Sequence, residues 1–195
     1  MRLLIPLLLL FSLLPVLAQE AAPAEGRVLR LEFSDGVTSG NIRYGPLTYE
    51  HPDPDGITAT VSTLTILSGR VSLSVPADQQ GELLLADAEG SREAVFEGGV
   101  TVLRGRLEAG GPELLYSEAT GIGTLMDDAR IVISAREEGD DDVLISAREV
   151  EFDVDTDLSV SRGDVLLENG AQTASAAELT YAEELSLGVL RGEGG

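Results

Sequence analysis

The sequence predicts an all-β domain of stacked antiparallel strands, and three observations carry that prediction. Apolar and polar residues alternate with period two along most of the chain. Turn signals such as "PDPDG", "EGG", "AGG", "ATG" and "ENG" separate the alternating runs. A strand-turn-strand phrase then recurs, clearest in "ISAREVEFDVDTDLSVSRGDVLLENG" and "ASAAELTYAEELSLGVLRGEGG".

The first of these reads directly onto strands. In "RVLRLEF", Leu29, Leu31 and Phe33 share one face and Val28, Arg30 and Glu32 the other. "GRVSLSVP" puts Val71, Leu73 and Val75 opposite Ser72 and Ser74, and "GVTVLRG" sets Val100 and Val102 against Thr101. "ARIVISA" offers Ile131 and Ile133, "EVEFDVD" offers Val150, Phe152 and Val154, "GDVLLENG" offers Val165 and Leu167, and "AELTYAEE" offers Leu179 and Tyr181. Such alternation makes one dry and one wet face. The one candidate helix, "ADAEGSREAVF", is opposed by Gly90.

The recurring phrase can be put in register. Its anchors are Tyr49, Leu85, Tyr116, Phe152 and Tyr181, at steps of 36, 31, 36 and 29 residues. Thr120 and Thr156 follow their anchors by four positions, and Gly163 and Gly192 follow by eleven. Gly111, Ala147 and Ala176 precede theirs by five. Unequal steps around a fixed strand pair indicate hairpin loops of variable length, and periods of this size mark repeat architectures.

"MRLLIPLLLLFSLLPVLAQEAAPAE" reads as a secretory signal: Arg2, an apolar stretch from Leu3 to Leu14, Pro15, then a small residue at Ala18. The apolar run is shorter than the roughly 18 residues that a span needs. The expected division is a signal peptide over 1–18, a flexible leader over 19–26 and one β domain over 27–195. Cleavage after Ala18 would leave 195 − 18 = 177 residues. The chain has no Cys, so neither a disulfide nor a lipidated N-terminal Cys is available, and the domain must hold by its core.

The formal charge is −21, and all 13 basic residues are Arg. Such a chain is repelled by nucleic acid and by bare anionic membranes. An enzyme reading finds little material. His51 is the sole His and sits in the turn-rich "YEHPDPDG". With no Cys and one His, the common nucleophile–base pairs and zinc sets cannot be assembled. No catalytic residue, metal ligand or cofactor is expected. Asp153-Val154-Asp155-Thr156-Asp157 opens like a calcium loop, but Leu158 stands where that loop needs Gly and Asp164 where it needs Glu. It is read as a turn. The acidic run Glu137 to Asp142 is read as a solvated hairpin tip.

Three segments together resemble a known family. "GDVLLENGAQTASAAEL", "ELTYAEELSLGVLRGEGG" and "LLYSEATGIGTLMDDARI" are similar to the OstA-like repeat of the periplasmic lipopolysaccharide-transport proteins (LptA/LptC-like). The matching positions are Gly163-Asp164-Val165, then Ala176, Leu179 and Tyr181, then Thr120-Gly121. The resemblance runs from about Gly40 to Gly194 and is strongest from Gly98 onward. It implies a half-open antiparallel β-jellyroll, a folded trough or β-taco. It further implies a soluble periplasmic bridge that shelters lipid acyl chains on their way to the outer membrane. The implied partners are an envelope lipid, an inner-membrane transporter and an outer-membrane assembly protein of similar β-jellyroll fold.

The expected lipid-binding residues are the inward ones: Val71, Leu73, Val75, Val100, Val102, Ile131, Ile133, Val150, Phe152, Val165, Leu167, Leu179 and Tyr181. Edge strands over Val28 to Phe33 and Leu185 to Leu190 are expected to support head-to-tail self-association. The competing reading is a secreted β-repeat adhesion or interaction module, closed inside and tightened by calcium.

Overall fold

The computed structural model describes residues 25–192, so the expected signal sequence and most of the leader lie outside the described residues. After a short 3-10 turn at Glu25–Arg27, fifteen strands follow, and all their pairings are antiparallel.

The strands make ten arms that run back and forth, each pairing with the next in sequence. Five arms are strand pairs: β1 (Arg30–Phe33) with β2 (Val37–Gly40), β3 (Leu47–Glu50) with β4 (Ile57–Val61), and β5 (Leu64–Ser68) with β6 (Arg70–Ser74). The sixth and seventh arms are the other two pairs, β9 (Ile122–Met126) with β10 (Ala129–Ile133) and β11 (Val143–Ala147) with β12 (Glu149–Asp153). Five are single strands: β7 (Glu93–Arg104), β8 (Leu107–Ser117), β13 (Leu158–Asn169), β14 (Gln172–Ala182) and β15 (Leu187–Arg191).

A crease crosses the arms and divides the sheet into two halves. One half runs β2-β3-β6, the 93–97 part of β7, the 113–117 part of β8, then β9-β12, 158–162 of β13, 178–182 of β14, and β15. The other runs β1-β4-β5, then 100–104 of β7, 107–111 of β8, β10-β11, 165–169 of β13 and 172–176 of β14. The ladder shifts register at the crease, between Glu97 and Val100 and between Arg162 and Val165. Gly98, Gly99 and Gly163 have φ of 81°, 87° and 77° there, a region where a Cβ is disfavoured. These glycines let one strand serve both halves.

No α-helix is present among the described residues to cover the sheet. Its inner face is nevertheless dry, so the sheet must fold on itself along the crease. The architecture is a half-open antiparallel β-jellyroll.

The inner face is built of ladder rows. In the first half one row reads Tyr49, Val71, Phe96, Leu114, Leu125, Val150, Ser161, Leu179, Leu190. Its neighbour, toward the strand tips, carries Leu73, Ala94, Tyr116, Gly123, Phe152, Ser159, Tyr181 and Gly188. The second half contributes Leu31, Ala59, Ile66, Val102, Ala109, Ile131, Ile145, Leu167 and Ala174.

The repeat therefore has a structural meaning. Three anchors, Tyr116, Phe152 and Tyr181, stand in one row. The small residues five positions earlier, Gly111, Ala147 and Ala176, stand at the crease, where bulk would hold the halves apart. Two anchors behave differently. Tyr49 falls one row over and packs edge-on against Phe33 at 4.9 Å. Leu85 lies on no strand. It is buried in a loop over 75–92 whose Pro76, Gly81 and Gly90 favour turns over a ladder. The candidate helix over 86–96 is not formed: its first residues belong to this loop and Glu93 to Phe96 begin β7. The expected edges are present as β1 and β15, and the acidic 137–142 segment is the β10–β11 loop.

Candidate functional site

The two halves meet at their strand tips, across the mouth of the fold. Ser62 and Thr63, in the β4–β5 turn, bond the Val154 carbonyl and the Asp157 carboxylate, the latter at 2.6 Å. Arg104, at the end of β7, reaches the Asp153 carbonyl at 3.3 Å and Ser159 Oγ at 2.5 Å. Arg106, one turn on, donates to Ser186 Oγ at 3.1 Å. The tips of one half thus face the other half three to five arms further along. Sheet twist accumulates from strand to strand, so folding such a sheet offsets its halves.

Toward the N-terminus the mouth is sealed by Arg27 to Leu29. Tyr116 Oη donates to the Arg27 carbonyl at 2.6 Å, and burial pushes that phenol well above its ordinary pKa. Arg27 forms an ion pair with Asp155, which holds the Asp155 carboxyl below its usual value. Glu118 is 1% exposed and accepts from Leu29 N and Gly90 N, both at 2.8 Å, and from Arg92 Nη2 at 2.6 Å. That bond raises the pKa of the Arg92 guanidinium.

Beneath this seal the inner rows are buried. Of the thirteen expected lipid-binding residues, Val71, Leu73, Val75, Val100, Val102, Ile131, Ile133, Val150, Phe152, Val165, Leu179 and Tyr181 are buried, and Leu167 is half-buried. Arg104 interrupts this apolar interior. It lines up beside Leu107, Ile133 and Val143 on an inner row, is 3% exposed, and lies 5.8 Å from the Phe152 ring centre. Burial lowers its pKa, and its Nε makes no hydrogen bond among the described residues. The space it crosses is left by Ser159 and Ser161, small residues in the two rows where the flanking arms carry Phe152 and Val150.

Past Arg104 the last arms of the two halves face each other without closing the space between them. A cavity of about 620 Å³ opens there. Its floor contains Ile133, Ile145, Leu167, Leu179 and Tyr181, four of which are among the expected residues; Ile145 is the addition. Ile145 was legible, since "VLISA" alternates and pairs with "ARIVI". The rim carries Arg106, Arg136, Asp140, Asp141, Asn169 and Ser186, which belong to the β7–β8 turn, the β10–β11 loop, β13 and the β14–β15 turn. Burial raises the Tyr181 pKa. No local pattern marked Arg106 or Arg136, because tertiary offset alone brings them together.

The calcium-like segment is a turn. Asp153 Oδ1 accepts its own chain's Asp155 N at 2.8 Å, Asp155 holds Arg27, and Asp157 holds Thr63. Among the described residues no cluster of three His, Cys, Asp or Glu could hold a metal ion. Likewise, no helix among them is long and apolar enough to cross a membrane. His51 Nδ1 accepts from Asp53 N at 3.0 Å, within its own turn.

No family model matches the chain, and no curated protein matches it in sequence. Among solved structures it is similar to the crystal structure of LptH, the LptA-homologous periplasmic component of the conserved lipopolysaccharide transport device from Pseudomonas aeruginosa. The identity is 14%, the match covers 63% of this chain and 82% of that one, and the TM-score is 0.45.

Proposed function

We propose that this protein is a non-enzymatic lipid carrier that shelters acyl chains of lipopolysaccharide or a related envelope lipid in its C-terminal cavity. The observation that carries the reading is that the dry inner rows end in a cavity floored by Ile133, Ile145, Leu167, Leu179 and Tyr181. At roughly 30 Å³ per water-sized group, 620 Å³ holds about twenty such groups, the size of an acyl chain. Each sheltered methylene is worth about 0.8 kcal/mol relative to water. A bilayer offers the same, so the cavity can hold a lipid that an energised partner has lifted but cannot extract one. The reading therefore places the protein in the periplasm, between an inner-membrane transporter and an outer-membrane assembly protein of like fold.

The last strand favours joining to such a partner. β15 pairs only with β14, and Leu185, Leu187 and Val189 are exposed, Leu185 by 72%. An uncovered apolar edge accepts a further strand. Light scattering across a concentration series, with and without a β-jellyroll partner domain, should show head-to-tail assembly; monomer throughout would refute this part.

The main test is a photo-crosslinking residue at Leu167, a half-buried residue that lines the cavity, in living cells. Capture of lipid, identified by mass spectrometry, is expected there. A crosslinker at Phe152, which is buried and does not line the cavity, should capture far less. Protein adducts alone at Leu167 would overturn the carrier reading.

A further inference from the structure

Two cations converge on one neutral atom at the cavity rim. Arg106 Nη2 and Arg136 Nη2 both donate to Ser186 Oγ. Arg106 also donates to the Ser134 carbonyl and reaches Tyr181 Oη at 3.5 Å. Among the described residues, the arginines in ion pairs are 27, 70, 92, 104, 148, 162 and 191. Neither Arg106 nor Arg136 is among them, although the chain carries 34 acidic residues. Two guanidinium groups held together repel each other, and a shared hydroxyl oxygen does not neutralise them. An oxyanion between them would, through charge-assisted and bidentate bonds.

Three carboxylates lie nearby, and none forms an ion pair with either guanidinium. Asp141 lies against Gly170 of the β13–β14 turn. Glu183 Oε1 accepts from the Arg106 backbone N–H at 3.3 Å, and its buried Oε2 makes no hydrogen bond among the described residues. Asp140 shares the rim. It adds to the protein's overall negative field and disfavours a large polyanion.

We propose that Arg106 and Arg136 form a headgroup site that takes the carboxylate or phosphate-ester oxyanion of an amphiphile whose tail lies on Ile133, Ile145, Leu167 and Leu179. This rests on the carrier reading and narrows it, because it makes the ligand anionic and anchors its polar end at one place. The apolar floor and the cationic pair line the same cavity, as an anionic amphiphile requires.

Calorimetric titration of the full chain with dodecanoate, dodecyl phosphate and dodecyl maltoside, each below its micelle-forming concentration, tests the proposal. The two anions should bind at least about tenfold tighter than the neutral maltoside, the size of a charge-assisted hydrogen bond. Arg106→Gln with Arg136→Gln should abolish that preference and leave maltoside affinity unchanged. Arg130→Gln removes one positive charge from the exposed outer face and should leave the preference intact. If the double variant melts early, Arg136→Gln alone carries the test, since that side chain is exposed. Equal affinity for all three probes, or a preference that survives in the variants, overturns the headgroup site while the carrier reading stands. Binding of none of the three overturns both.

Discussion

Replacing Glu118 with alanine should loosen the whole N-terminal seal. The carboxylate accepts from Leu29 N, Gly90 N, Arg92 N, Arg92 Nε and Arg92 Nη2, so one buried group ties the first strand, the 75–92 loop and the end of β8 together. Its side chain is 1% exposed and that of Arg92 is 18% exposed. Removing one member of a buried, hydrogen-bonded ion pair typically costs about 3–5 kcal/mol, because its partner is left uncompensated. For a domain of this size each kcal/mol moves the melting midpoint by roughly 2–4 °C, so the alanine variant should melt about 6–20 °C lower. Glu118→Gln keeps one acceptor oxygen but turns an amide donor toward backbone N–H groups, and should cost about 1–3 kcal/mol. Urea unfolding followed by circular dichroism measures both. Hydrogen exchange supplies a local readout: the Leu29 amide should lose protection in both variants before the amides of β13 do. A cost below about 1 kcal/mol for the alanine variant, or an unchanged Leu29 amide, would refute the claim that Glu118 holds the seal.

Other expectations follow from the crease and the mouth. Gly98→Ala should cost about 1–2 kcal/mol by urea midpoint. Its added Cβ meets nothing nearer than 3.6 Å, so the penalty is that of a positive φ alone, and no loss would mean the crease tolerates another backbone path. Arg104→Met should cost about 1–3 kcal/mol, because an apolar chain fills the space but leaves the buried Ser159 Oγ without its donor. Arg104→Ala should cost at least about 2 kcal/mol more, through the cavity it leaves, and equal losses for Met and Ala would contradict this. Asp155 has a folded-state pKa held below its unfolded value by Arg27, so its contribution is full above about pH 4 and is lost as pH falls through the folded value. The difference in melting midpoint between wild type and Asp155→Asn should therefore be constant near neutrality and vanish in strong acid. A difference independent of pH would show that the ion pair does not operate.

Much of the inner face was legible because side-chain direction in a strand is local. Val150, Phe152, Leu179 and Tyr181 alternate with polar neighbours, and period two alone turns them inward. The repeat placed Tyr116, Phe152 and Tyr181 in one phase, and they share one ladder row. The same logic misassigned Leu85, whose hydrophobicity buries it without a strand around it.

The sequence by itself determined the strands, their inward residues and the small positions at the crease, since each depends on neighbours a few residues away. Only the tertiary structure decided which part of the interior is core and which is cavity. That boundary depends on twist summed over the arms, which sets Thr63 against Asp157 and Arg27 against Asp155, residues 94 and 128 positions apart. The same offset leaves Leu167 and Leu179 lining a cavity and brings Arg106 and Arg136 to its rim. No window of sequence contains a sum over the whole sheet.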